Sequence, residues 1–239
     1  MKSLIIFIAF LSAFQGFSQE ITGKELLEKS IKFHDSRNNW STFDGEFFVT
    51  MKTPEKVART TKIKINIPKE YFLVIAERDS ITTEYAIHKT DCSIFFNGKE
   101  NPSEAIKKEH SLSCERAKLL KNYYTFLYGL PMKLKDNGTI IHEKVERKMF
   151  QEKEYLVLKV SYDQSVGKDT WYFYFNPNTY ALEVYQFFKD ETKNDGEYIL
   201  LSDLETINHI KMPKNRAWYY NKNDEYLGTD VLSRNNLNR

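Results

Sequence analysis

Histidine, cysteine and carboxylate side chains are the groups here that could do chemistry, and their spacing limits what they can do. The five histidines, His34, His88, His110, His142 and His209, are scattered. They show neither the H-E-x-x-H spacing that brings two imidazoles to one helix face nor a C-x-x-C pair, so the sequence supports no metal site and implies no cofactor. His34-Asp35 and His142-Glu143 each set a carboxylate beside an imidazole. Neighbours in sequence point to opposite sides of a strand and diverge on a helix, so both pairs read as surface residues. No G-x-S-x-G, G-x-G-x-x-G or phosphate-loop pattern occurs, which removes the common hydrolase and nucleotide fingerprints. Glu77, Glu84, Asp163 and Glu183 fall on expected strands, where alternating acids mark a solvent face. Two acids converging on one cleft could run acid–base hydrolysis, but no spacing selects a pair. Lys62 and Lys64 read as a solvated face or the guard of a sheet edge. The expectation is a protein that is not an enzyme.

Cys92 and Cys114 complete the inventory. Cys92 shares strand parity with Ile94 and Phe96, and Cys114 shares a helical stripe with Ala117, so both can enter one core. In an oxidising compartment a disulfide is the first reading, adding roughly 3 kcal/mol by the chain-entropy model, and two separate buried thiols are the alternative.

The compartment follows from the N-terminus. Lys2 precedes the apolar run Leu4 to Leu11, extended by Ala13 and Phe14, and the small residues Gly16 and Ser18 flank Phe17. This is the pattern of a secretory signal peptide over residues 1–19, cut near Ser18 or Gln19. No cysteine stands at that junction, so no acyl anchor is implied and the mature chain is expected to be soluble, periplasmic or secreted. Beyond it the longest apolar stretch, Tyr71 to Ala76, is far below the roughly 20 residues of a membrane-spanning helix. The full chain of 239 residues carries 35 Lys plus Arg against 33 Asp plus Glu, a formal charge of +2. That balance leaves no electrostatic footprint for nucleic acid or an anionic membrane. With 41% hydrophobic residues the chain is globular, and it reads as one domain over 20–239.

Thr22 and Glu25 form a T-x-x-E capping box, predicting a helix to about Phe33. From Phe43 the apolar period becomes two, and strands are predicted through 43–52, 61–67, 70–78 and 81–97. A second series runs through 154–162, 170–176, 182–188, 197–204, 214–220 and 225–232. Asn97-Gly98, Asn137-Gly138 and Asp195-Gly196 supply turns, and Pro54, Pro68, Pro177 and Pro213 are expected between strands. Between the two series lies a helical insert, Ser103 to about His110 and Ser113 to Tyr128, with Gly129 in a left-handed stop and Pro131 forbidding continuation. Short turns between successive strands mean an antiparallel sheet.

The later strands are apolar on both faces: Trp171, Phe173 and Phe175 on one side of their strand, Tyr172 and Tyr174 on the other. One face must cover the helices, and the other meets more protein or lines a cavity. Tight packing of a curved sheet on its helices explains these aromatics. So does an incompletely closed barrel with room for an apolar ligand under the insert.

The order of elements, with the Asn176-Pro177-Asn178-Thr179 turn, resembles the LolA/LolB-type half-barrel. Tyr128-Gly129-Leu130-Pro131-Met132 and Lys168-Asp169-Thr170-Trp171-Tyr172-Phe173 resemble uncharacterised LolA-like exported proteins of Bacteroidetes-type Gram-negative bacteria. The resemblance implies an α+β fold, a strongly curved antiparallel sheet of about 11 strands with an N-terminal helix and a helical insert on its concave side. It further implies a periplasmic carrier whose partner is a hydrophobic small molecule, a lipid or a lipoprotein acyl chain. By parity and helical spacing, Phe47, Val49, Leu73, Ile75, Tyr124, Leu127, Trp171, Phe173, Phe175 and Trp218 are expected to line a hollow between sheet and helices. An envelope protein-interaction module with a filled core, and a secreted carboxylate-based hydrolase, are the alternatives.

Overall fold

The computed structural model describes residues 20–235. The expected signal peptide lies outside them. Helix α1 (Gly23–His34) begins at the capping box: Thr22 Oγ1 accepts from Glu25 N–H at 3.2 Å, and the Glu25 carboxylate accepts from Thr22 N–H at 2.9 Å. Two orphan donors are thereby satisfied reciprocally. The strands are β1 (Asp44–Lys52), β2 (Arg59–Asn66), β3 (Tyr71–Arg78), β4 (Ile81–His88), β5 (Asp91–Phe96) and β6 (Lys99–Glu100), then β7 (Thr139–Phe150), β8 (Lys153–Tyr162), β9 (Thr170–Phe175), β10 (Leu182–Phe188), β11 (Glu197–Ile207), β12 (Ile210–Tyr220) and β13 (Tyr226–Ser233). Between β6 and β7 stand α2 (Glu104–Glu109) and α3 (Cys114–Gly129), N-capped by Ser103 and Ser113.

All strands join one antiparallel sheet in the order β6-β5-β4-β3-β2-β1-β13-β12-β11-β10-β9-β8-β7. The sheet does not close: β6 and β7 are its two ends. The chain's halves meet where β1 pairs with β13, Val49 opposite Leu232. Helices α1 and α3 lie on one face, here called inner, whose core runs from Leu26 of α1 through Phe47, Ile63 and Ile199 to Tyr128 of α3.

Among the described residues thirteen strands replace the expected eleven or so. The 81–97 run divides at Lys89, whose φ of 54° turns the chain, and β7 falls outside the predicted strands altogether. As an end strand, β7 exposes charged Lys144, Arg147 and Lys148 and lacks clean alternation. Lys62 and Lys64 guard no edge, because β2 lies between β1 and β3, and Lys62 pairs with Glu46 at 3.2 Å. Pro213 lies inside β12 opposite Leu204, beside an irregularity at Asp203 with φ 54° that relieves the missing N–H.

Gly129 is the last residue of α3, and no left-handed turn marks it. A Cβ there would stand 2.3 Å from Trp40 Cζ2, so glycine is needed for close approach of the helix end to the indole. Cys92 of β5 and Cys114 of α3 are bonded, with Cα atoms 6.0 Å apart, tying the insert to the sheet.

The surface expectation for His34 and Asp35 fails, since both are almost fully buried. His34 Nδ1 donates to the Lys211 carbonyl at 2.6 Å and Nε2 accepts from Leu182 N–H at 2.9 Å, stitching α1 to β10 and β12. Asp35 accepts from the backbone N–H groups of Asn39 and Trp40, each at 2.8 Å. Buried polar groups are stable when each atom finds such a partner, and nothing local signals those partners in advance. His142 is half-buried against Ser161 Oγ at 3.0 Å, and Glu143 beside it is exposed.

Candidate functional site

Phe47, Val49, Tyr124, Leu127, Phe173 and Phe175 are each no more than 4% exposed. They line neither of the clefts described below. They belong to the filled core on the inner face of the sheet, where the Phe47 ring stands 4.9 Å from that of Tyr128. Leu73 and Ile75 belong to the opposite face; the inner positions of β3 are Phe72 and Val74. Both parities of Tyr71 to Ala76 are apolar, so alternation has no contrast to offer. Trp171 and Trp218 remain half-buried, and each lines a cleft.

The first cleft, about 550 Å³, opens between α3 and the β7–β9 end of the sheet. Its floor is aromatic. Phe126 of α3 stands 5.5 Å from Trp171 of β9, and Trp171 is backed, outside the lining, by Phe187 of β10 at 4.9 Å. Tyr162 of β8 contributes a buried hydroxyl with no hydrogen-bond partner among the described residues, and burial pushes its pKa well up. The rim carries Lys121, Lys133 and Lys168 with Asp136 and Asp169, and Lys133 pairs with Asp136.

The second cleft, about 320 Å³, lies between Tyr123 of α3 and the edge-on ends of β1, β11, β12 and β13. Met51, Tyr123, Trp218 and Leu227 give its apolar walls, Glu197 and Asp230 its charges. Burial raises the pKa of Asp230, against the pull of Arg216 and then Arg59. Burial likewise raises Glu197. Within the sheet the two clefts are linked by rings: Trp171 to Tyr185 at 6.2 Å and Tyr185 to Trp218 at 6.3 Å.

Under α3 the core is not wholly apolar. Arg216 is 1% exposed, and its guanidinium lies 3.9 Å from the centroid of Tyr128. It donates to the carbonyls of Pro213 at 2.7 Å and Leu127 at 3.4 Å. The hydroxyls of Tyr128 and Tyr185 are buried, and burial lifts both pKa values.

Strand reasoning missed Phe187, Tyr185, Glu197 and Asp230. A bulge between Leu182 and Val184 resets parity in β10, placing Leu182 and Tyr185 inward and Val184 in a small outer cluster with Tyr155 and Tyr174. Asp230 had a usable signal: it is an acid on an inner parity shared with Leu232. None of the four carboxylates weighed for hydrolysis lines either cleft. Glu77 and Asp163 are exposed, Glu84 lies on β4, and Glu183 on β10 is held by Asn176 at 3.0 Å and by Lys153 at 2.5 Å. Among the described residues no group of three or more potential ligands is placed to hold a metal ion, and no helix is long and apolar enough to cross a membrane.

Residues 2–235 match the model of a family described as a family of unknown function, DUF6503. Among curated proteins nothing matches. A LolA superfamily protein from Nitrosomonas europaea superposes with a TM-score of 0.51 at 12% identity, over 90% of this chain and 92% of that one. A DUF1329 family protein from Desulfovibrio piger gives 0.52 at 8% identity, over 90% and 92%. At such identities the likeness is one of fold, and the fold is the LolA-like half-barrel.

Proposed function

We propose that this chain, which belongs to the DUF6503 family, is an exported, non-catalytic protein of the cell envelope that binds an apolar or lipidated molecule along the flank of α3. The residues are those of a single domain following a cleaved signal peptide. The observation carrying the reading is the half-buried aromatic floor of the first cleft, Phe126, Tyr162 and Trp171. Rings left partly wet at a cleft of about 550 Å³ gain by being covered, at about 25 cal/mol per Å² of apolar surface removed from water. Because the centre beneath α3 is filled, the ligand lies in an open groove rather than in a sealed hollow. The half-barrel shared with the LolA superfamily protein of Nitrosomonas europaea is compatible with a ligand held on the inner face.

Organic extraction and mass spectrometry of the protein purified from its native envelope test the reading. A co-purifying lipid or acylated peptide near one per chain is the expected result. A second arm measures binding of a fluorescent fatty acid to the wild type and to Trp171→Ala. Loss of a ring that covers much of the floor should weaken binding about tenfold or more. No extracted lipid, together with no difference between the two proteins, would refute the carrier.

A further inference from the structure

The second cleft differs from the first in its chemistry. Its walls are Met51, Tyr123, Trp218 and Leu227, and among the described residues the only charges lining it are the carboxylates of Asp230 and Glu197. Tyr123 and Trp218 lie nearly parallel, 19° apart with centroids separated by 6.5 Å, and Tyr185 meets Trp218 edge-on. Ring faces carry the negative part of the aromatic quadrupole and attract cations. Trp218 and Asp230 line the same cleft, so a cation seated on the indole face also meets a carboxylate. The Glu197 carboxylate has no hydrogen bond or ion pair within 4 Å among the described residues, and burial raises its pKa against the pull of the more distant Lys189.

Two guanidiniums stand behind this wall and do not line it. Arg216 is occupied by Tyr128 and by two carbonyls, and Arg59 donates to Met51 Sδ at 3.5 Å. A positive group in the cleft would therefore touch the carboxylates and rings directly and meet the arginines only through intervening atoms. Among the described residues an anion would find no charged donor, only the hydroxyls of Thr53 and Tyr123 and the Trp218 indole N–H.

We infer that the cleft between Tyr123, Trp218, Asp230 and Glu197 is a binding site for an organic ammonium group, primary or quaternary. The site recognises the cation itself. If the carrier reading above holds, the ammonium is the head of the amphiphile whose tail follows the rings of Tyr185 and Trp171 towards the first cleft, and only this tail rests on that reading. The head could equally come from a free amine, because the recognition chemistry is the same.

The test uses the mature chain and follows the Trp218 indole N–H by NMR, assigned through its loss in Trp218→Phe. Choline is titrated against its neutral isostere 3,3-dimethylbutan-1-ol. Choline should shift this resonance and bind about tenfold tighter than the isostere. The Asp230→Asn and Glu197→Gln double variant should erase the preference while retaining wild-type circular dichroism. Equal binding of the two probes, or no response to choline, overturns the inference. Dodecyltrimethylammonium and dodecyl sulfate, both below their micellar concentrations, distinguish the source. A cationic detergent that binds at least about 100-fold tighter than choline assigns an amphiphile, whereas equal affinity of the two cations assigns a free amine. Choline binding without any detergent binding would keep the ammonium site and remove the carrier. Equal binding of both detergents without choline binding would do the reverse.

Discussion

Arg216 and Asp230 are direct cross-strand partners of β12 and β13, yet no ion pair within 4 Å joins them. Arg216 turns instead to Tyr128 and to the carbonyls at Pro213 and Leu127. The two residues therefore do different work. The guanidinium ties α3 to the sheet, while the carboxylate is left facing the second cleft.

Removing the arginine should be costly. Arg216→Ala empties the space beside Tyr128 and strands the Leu127 and Pro213 carbonyls, and urea denaturation should show a loss of about 3 kcal/mol or more. Asp230→Asn should behave otherwise. The folded state raises this carboxyl above its ordinary value, so the folded protein binds more protons than the unfolded one between the two pKa values, and stability falls as pH rises through that window. The amide mimics the protonated form. Asp230→Asn should therefore be as stable as the wild type or more so at pH 7 and should flatten that segment of the profile. A variant clearly less stable than the wild type at pH 7 would contradict this.

His34 gives the opposite slope. Burial lowers its pKa from 6.5 to about 4, outweighing the bond to the Lys211 carbonyl. The unfolded chain takes up the proton first, so stability is fully present above about pH 6.5 and is lost as pH falls towards 4. At about 1.4 kcal/mol per pKa unit the loss approaches about 3 kcal/mol. His34→Gln should remove this acid sensitivity and cost about 1–3 kcal/mol at pH 7, because one of the Leu182 and Lys211 bonds is left unmade. Equilibrium denaturation at a series of pH values checks both statements.

Gly129→Ala pits helix propensity against space. Alanine is favoured over glycine in a helix by about 1 kcal/mol. The added Cβ would nevertheless press on Trp40 at 2.3 Å and on Lys133 Cγ at 2.6 Å, and Trp40 is itself buried. Overpacking should win, lowering stability by about 1–3 kcal/mol in thermal or urea unfolding. An alanine variant as stable as the wild type would show that the indole yields.

Local rules made much of the molecule legible from residues alone. The Thr22–Glu25 box started α1, Ser103 and Ser113 capped the insert, turns at Gly98 and Gly196 separated strands and one at Gly138 led into β7, because each depends on residues a few positions apart. The antiparallel sheet followed from period-two apolar runs joined by short connections, and the half-barrel from the resemblance in order of elements. Tertiary structure decided what those rules do not reach. Where both parities are apolar, as in β3, only packing against a helix chooses the inner face, and a single bulge in β10 exchanged Leu182 for Val184. The clefts arise where side chains from α3 and strands at opposite ends of the chain converge: Met51, Tyr123, Glu197, Trp218 and Asp230 share a wall because β1 pairs with β13. Period and capping are properties of neighbours along the chain, whereas a site is a property of register between distant strands.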